Sequence, residues 1–117
     1  MKIQRFEDII AWQKAQDLAV DIYAEFSLSK DYGFKGQITE AVVSISNNIA
    51  EGFDRCSDAE FKRFLFYSLG SCSEVRSMLY LAVRLNYTSK EIQEKLSEQT
   101  FEVSRMIRGL IKSLNQK

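Results

Sequence analysis

Between Ile38 and Phe61 the chain reads ITEAVVSISNNIAEGFDRCSDAEF, an apolar stripe of helical period that runs into a glycine, a short turn and the opening of a second helix. No other segment constrains the fold as tightly. Phe34, Ile38, Ala41, Val42, Ile45, Ile49 and Phe53 recur at spacings of three and four. The β-branched content would suit a strand, yet alternation fits only Val43 to Ser46, whereas the helical period fits the whole stripe. A helix is therefore expected, ended or loosened at Gly52. Ser57-Asp58-Ala59-Glu60 then has the S-x-x-E form, in which the serine oxygen accepts from the N3 amide and the glutamate returns the bond.

The rest of the chain continues in the same period. A third helix carries Phe61, Phe64, Leu65, Leu69, Cys72, Val75, Leu79, Ala82 and Val83 as far as Leu85, with Asn86 as its C-terminal signal. Thr88-Ser89-Lys90-Glu91 repeats the capping pattern before Ile92, Leu96, Val103, Met106, Ile107, Leu110 and Leu114. Ahead of the hairpin, Ala11 to Phe26 reads as the first helix through Trp12, Ala15, Ala19, Ile22, Tyr23 and Phe26, and Ser27 to Gly33 reads as a polar turn. The chain contains no proline, so nothing interrupts long helices. Four amphipathic helices joined by short turns imply an all-α, antiparallel up-down-up-down four-helix bundle, a single domain over residues 1–117.

Two stretches break the amphipathic rule. In a chain that is 27% charged, Ala41 to Ala50 and Phe64 to Ser73 hold no charge, and a helix of that length turns a side to every direction. On the third helix Phe66, Gly70, Ser73, Ser77 and Leu81 fall on one line behind the core stripe. On the second, Val43, Ser46, Asn47 and Ala50 do the same. Phe66, Tyr67, Met78 and Leu81 exceed what one bundle core can take, so these lines are expected to form a subunit interface of a homo-oligomer.

Charge is balanced overall, 16 basic against 16 acidic residues, which removes the simplest argument for nucleic acid. The halves differ: residues 1–58 hold 6 basic and 10 acidic groups, net −4, and residues 59–117 hold 10 and 6, net +4. Head-to-tail packing would use this polarity; a scatter of solvated charges is the other reading. Cys56 and Cys72 stand about 24 Å apart on a continuous helix, beyond disulfide reach, and read as reduced thiols. No apolar leader opens the sequence and no apolar run reaches membrane-spanning length, so a cytoplasmic protein without membrane contact is expected.

Taken in order, the residues resemble the bacterial four-helix-bundle proteins of the 23S rRNA intervening-sequence family, long labelled S23 ribosomal proteins. Phe6, Asp8, Trp12, Lys14 and Ala15 fit its opening F-x-D-x-x-x-W-x-K-A, followed by Ile22-Tyr23. Tyr32-Gly33-Phe34 with Gln37-Ile38 fits its Y-G-L-x-x-Q-I, and Ser44-Ile45 with Asn48-Ile49-Ala50-Glu51-Gly52 fits its S-I-x-x-N-I-A-E-G. Arg55, Ser57, Glu60-Phe61, Phe64-Leu65 and Gly70-Ser71 with Glu74 complete the pattern. The resemblance implies a protomer assembled as a five-fold ring, a homopentamer. It extends to the accessory protein of diversity-generating retroelements, a pentameric basic barrel that works with a reverse transcriptase and nucleic acid. Two departures stand out: Thr39-Glu40 replaces the arginine pair common after Q-I, and Ser46 replaces the proline of S-I-P.

The residues that would meet RNA or DNA are basic and clustered. Arg55, Lys62 and Arg63 gather around the second turn, and Arg105, Arg108 and Lys112 form a stripe on the fourth helix with Lys117 beyond. Asp54, Asp58 and Glu60 sit in the same turn and can neutralise the first set, while basic residues late in a helix also suit its dipole. Asn48, Glu51 and Glu74 are expected to form a structural polar network. Enzymatic chemistry has no carrier. The chain has no histidine, which excludes a Ser-His-Asp arrangement and the Glu-x-x-His sites of di-iron bundles. No Gly-rich phosphate loop or metal-ligand spacing is present, and no cofactor is implied. The expectation is a non-catalytic oligomer that binds nucleic acid or a ribonucleoprotein; the alternative is an oligomeric protein-interaction module that binds a protein partner and no nucleic acid.

Overall fold

The computed structural model describes residues 3–116, in which a one-turn 3-10 segment (Phe6–Asp8) leads into α1 (Ile10–Phe26), α2 (Tyr32–Phe53), α3 (Asp58–Arg84) and α4 (Lys90–Asn115). No strand occurs among the described residues. Lys117 lies outside them.

Local chemistry sets the helix boundaries. The Asp31 carboxylate accepts from the Phe34 amide at 3.0 Å, Ser57 from Glu60 at 3.2 Å and Ser89 from Ile92 at 3.1 Å, each satisfying an amide that has no partner within its helix. Two details depart from the sequence reading. Glu60 does not return a bond to Ser57, because both its oxygens accept from Arg63. The cap of α4 is Ser89 and not Thr88, whose hydroxyl donates to Glu25 on α1 at 2.7 Å. Asn86 closes α3 as expected: it takes φ 63°, which lets its amide bond the Val83 carbonyl and the Tyr87 amide bond that of Ala82.

Each helix touches two neighbours. α2 packs on α1 and α3, α4 packs on α3 and α1, and across the diagonals no two Cα atoms of the described residues come within 8 Å. One contiguous core fills the space between, with Leu18, Ile22, Ile45, Ile49, Leu65, Leu79 and Ile107 fully enclosed. Burial of this apolar surface, at roughly 25 cal/mol per Å², is the main stabilising term.

The stripe boundaries shift in three places. Tyr23 is 50% exposed, and the enclosed side of α1 runs through Ala11 and Leu18 instead. Of Phe66, Tyr67, Met78 and Leu81, which exceed what the core can take, Met78 alone is buried and joins the α3 stripe. Gly52 does not end α2. It lies buried in the last turn, where an added Cβ would come within 2.5 Å of the Phe64 Cβ and 3.2 Å of the Phe61 ring. Only a residue without a side chain lets α2 and α3 approach this closely.

Candidate functional site

The two uncharged stretches occupy different environments. In α2, between α1 and α3, Ala41, Val42, Ile45, Ser46 and Ile49 are buried, Val43, Ser44, Asn48 and Ala50 are half-buried, and Asn47 alone is exposed. Its small polar residues serve the packing within the protomer. The Ser44 and Ser71 hydroxyls are 2.6 Å apart across α2 and α3, and Ser68 donates to the Ile45 carbonyl at 2.8 Å. Ser46, placed on an outer line by the sequence reading, is fully enclosed. Its hydroxyl accepts from Gln16 of α1 at 3.1 Å and donates to the Val43 carbonyl at 3.3 Å.

On α3 the line falls where the pattern placed it. Phe66 (54%) and Leu81 (45%) are exposed, as are Gly70, Ser73 and Ser77 between them, and a Cβ on Gly70 would meet nothing within 4 Å. Tyr67 and Tyr80 lie beside this line, also exposed. The result is an aromatic and small-residue face on one helix, open to water in the single chain.

Arg55 and Arg63 converge, one from the turn and one from α3, on the buried Phe64 ring, at 4.8 and 5.3 Å from its centroid. Each also has a carboxylate: Arg55 bonds Glu51 at 2.8 Å, and Arg63 takes Glu60 in a two-pronged contact at 2.8 and 3.1 Å. The hydrogen bond from Arg63 holds the Glu60 carboxyl below its ordinary pKa, and Glu60 in turn raises that of Arg63. Lys62 leaves this cluster and donates to Asn115 at the end of α4 at 2.6 Å. The three residues grouped by sequence therefore split into a partly neutralised pair and a helix-end clasp.

On α4, Arg105 approaches Glu98 at 3.7 Å, whereas Arg108 and Lys112 are exposed with no ion-pair partner among the described residues. Near them is a feature the sequence reading missed: Arg76 of α3 lies over the Phe101 ring of α4 at 4.0 Å. No single-helix period reveals a contact made between helices twenty-five positions apart.

Asn48, Glu51 and Glu74 do not assemble into one network within the protomer. Asn48 donates to the Ser44 carbonyl in its own helix, Glu51 pairs with Arg55, and Glu74 accepts from Gln37 at 3.5 Å. Trp12 is half-buried and edge-on to Phe6, 5.3 Å between centroids. Cys56 is exposed and Cys72 buried, both free; burial pushes the Cys72 thiol pKa up. No cluster of three or more metal-ligating side chains occurs among the described residues. No helix among the described residues is long and apolar enough to cross a membrane.

Comparison with known proteins gives two positive findings. The family model for the 23S rRNA-intervening sequence protein matches residues 7–109. A crystal structure of a protein with unknown function from the S23 ribosomal protein family of Bacteroides thetaiotaomicron is similar at TM-score 0.81 and 26% identity, over 87% of this chain and 98% of that one. No curated protein matches.

Proposed function

The chain belongs to the 23S rRNA-intervening sequence protein family, and from that premise we propose that it is a non-catalytic helical protein that acts as a homo-oligomer, a ring of five protomers by family resemblance, and binds RNA or DNA through basic residues of α3 and α4. The protomer in this reading is an antiparallel up-down-up-down bundle in the bacterial cytoplasm. The pairings Gln37 with Glu74, Ser44 with Ser71 and Gly52 with Phe61, which run in opposite directions along α2 and α3, support that topology.

The observation that carries the proposal is the open face of α3. An exposed strip holding Phe66, Tyr67, Tyr80 and Leu81 is costly to leave in water, and covering it with another copy removes that cost. Nucleic-acid binding rests on local charge placement. Arg108 and Lys112 have no ion-pair partner among the described residues, and Arg76 with Phe101 supplies a cation and a ring in the α3–α4 seam. Repetition of this set around an assembly lets a neutral protein follow a phosphate backbone.

The ligand is tested by fluorescence anisotropy of labelled structured RNA and DNA at two salt concentrations. Micromolar binding that weakens steeply with salt, with a shallower slope for Arg108→Gln/Lys112→Gln, is the expected result. Absence of binding at low salt overturns the nucleic-acid reading in favour of a protein-interaction module. The carboxylates that occupy Arg55 and Arg63, together with the exposed Glu40, favour that second reading.

A further inference from the structure

We infer that the copies associate head to tail through two unlike surfaces, the outer face of α3 on one protomer meeting the outer seam between α1 and α2 on the next. The inference rests on the self-association reading and adds the identity of the opposing surface.

The seam follows from contacts within the protomer. Gln16 bonds Ser46 at 3.1 Å, and Lys35 bonds the Ser27 carbonyl at 2.8 Å toward the other end. These two links set an antiparallel register of α1 against α2 that brings Val20 to the level of Val43 and Tyr23 to the level of Thr39. Val20 is 66% exposed and Tyr23 50%, with Asn47 exposed a turn beyond Val43. The seam is thus a second apolar strip, on helices other than α3, and no Cα of α1 comes within 8 Å of one in α3 among the described residues. One chain therefore presents two separate uncovered strips.

Charge decides how they pair. From residue 15 to 29 and from 36 to 54 the chain has no basic residue, while Asp17, Asp21, Glu25, Glu40, Glu51 and Asp54 fall in those spans. Asp17 and Glu40 are exposed with no ion-pair partner among the described residues. The α3 face ends instead on Arg84 and on Arg63, the latter already held by Glu60, and residues 59–117, which include that face, hold 10 basic against 6 acidic groups. Seam against seam brings like charges together; α3 face against seam brings opposite ones. A contact between unlike patches leaves each copy with one free surface of each kind, so it propagates into a ring or chain and does not stop at a symmetric pair.

Three double variants test this, the first two as a complementary pair. Phe66→Glu/Leu81→Glu disables the α3 face, Val20→Arg/Tyr23→Arg disables the seam, and unchanged circular dichroism shows that each is folded. By sedimentation velocity each alone is expected at the 13.5 kDa monomer mass, and their equimolar mixture at twice that, because one intact pair of surfaces survives between them. Asp17→Lys/Glu40→Lys, which alters only exposed charges, is expected to shift the wild-type assembly toward monomer at low salt. A seam variant that keeps the wild-type mass overturns the inference and leaves self-association standing. So does a mixture in which both variants remain monomers. A wild-type protein that is itself a monomer overturns the self-association reading and this inference with it.

Discussion

α2 and α3 each carry ten consecutive residues without charge, and the two stretches teach opposite lessons. Ala41 to Ala50 needs no outside partner, because α1 and α3 flank it and only Asn47 is exposed. Phe64 to Ser73 has flanking helices too, yet Phe66, Tyr67, Gly70 and Ser73 all remain exposed. An uncharged helix is evidence of a missing partner only after its neighbours in the same chain are counted. By that criterion α3 makes the case for assembly, and α2 contributes only where it borders α1.

The contrast breaks most easily in the core. Ile45→Ala, at a fully buried position of α2, is expected to cost about 2–5 kcal/mol in chemical denaturation; a cost under about 1 kcal/mol would mean that α2 is not enclosed as described. Gly52→Ala comes next. Its Cβ meets Phe64 at 2.5 Å with no flexible side-chain end to yield, so a loss of about 1–3 kcal/mol is expected.

On α3 the same measurements should separate. Phe66→Ser is expected to change the stability of dilute monomer by no more than about 0.5 kcal/mol while reducing the mass seen by light scattering. Equal stability and equal mass would place Phe66 on a surface that nothing covers. Gly70→Ala sharpens the point: with open space around its Cβ, alanine should stabilise the monomer by about 0.5–1 kcal/mol through helix propensity, and yet weaken association if a neighbouring helix approaches there.

The smallest effect concerns the start of α2. The Tyr87 phenol donates to Asp31 at 2.6 Å and, with the Phe34 amide, lowers the pKa of that carboxyl from its ordinary 3.8. A carboxyl depressed on folding contributes stability that is complete above its unfolded value and is lost as pH falls through the folded one. Acid titration of the melting temperature should therefore fall below about pH 4, and Tyr87→Phe should lower the plateau at neutral pH and so shallow that limb.

Most of the fold was legible because a 3.6-residue period survives over long helices without proline and because serine caps have a fixed offset to their amides. The errors lie where periodicity is least decisive. Tyr23 and Leu18 both sit near the edge of the α1 stripe, and only the position of α4 decides which turns inward. Ser46 belongs to an outer line on a helical wheel, but Gln16 on α1 reaches it. On α4 the enclosed side includes Gln93, Ser97, Thr100 and Ser104, which a hydrophobic pattern passes over. Gln93 donates to Ser97 and Thr100 to the Leu96 carbonyl, so these groups are buried with their bonds made. Of the candidate surfaces, the α3 line was visible in advance as spacing in one helix. The Arg76–Phe101 contact and the α1–α2 seam were not, since both depend on which helices become neighbours.

The central claim is that another copy covers the outer face of α3, and the absolute mass of the wild-type protein tests it most directly. Multi-angle light scattering at micromolar concentration is predicted to give a multiple of 13.5 kDa that falls toward the monomer value for Phe66→Glu/Leu81→Glu. A wild-type mass of 13.5 kDa, unchanged on concentration, would contradict it.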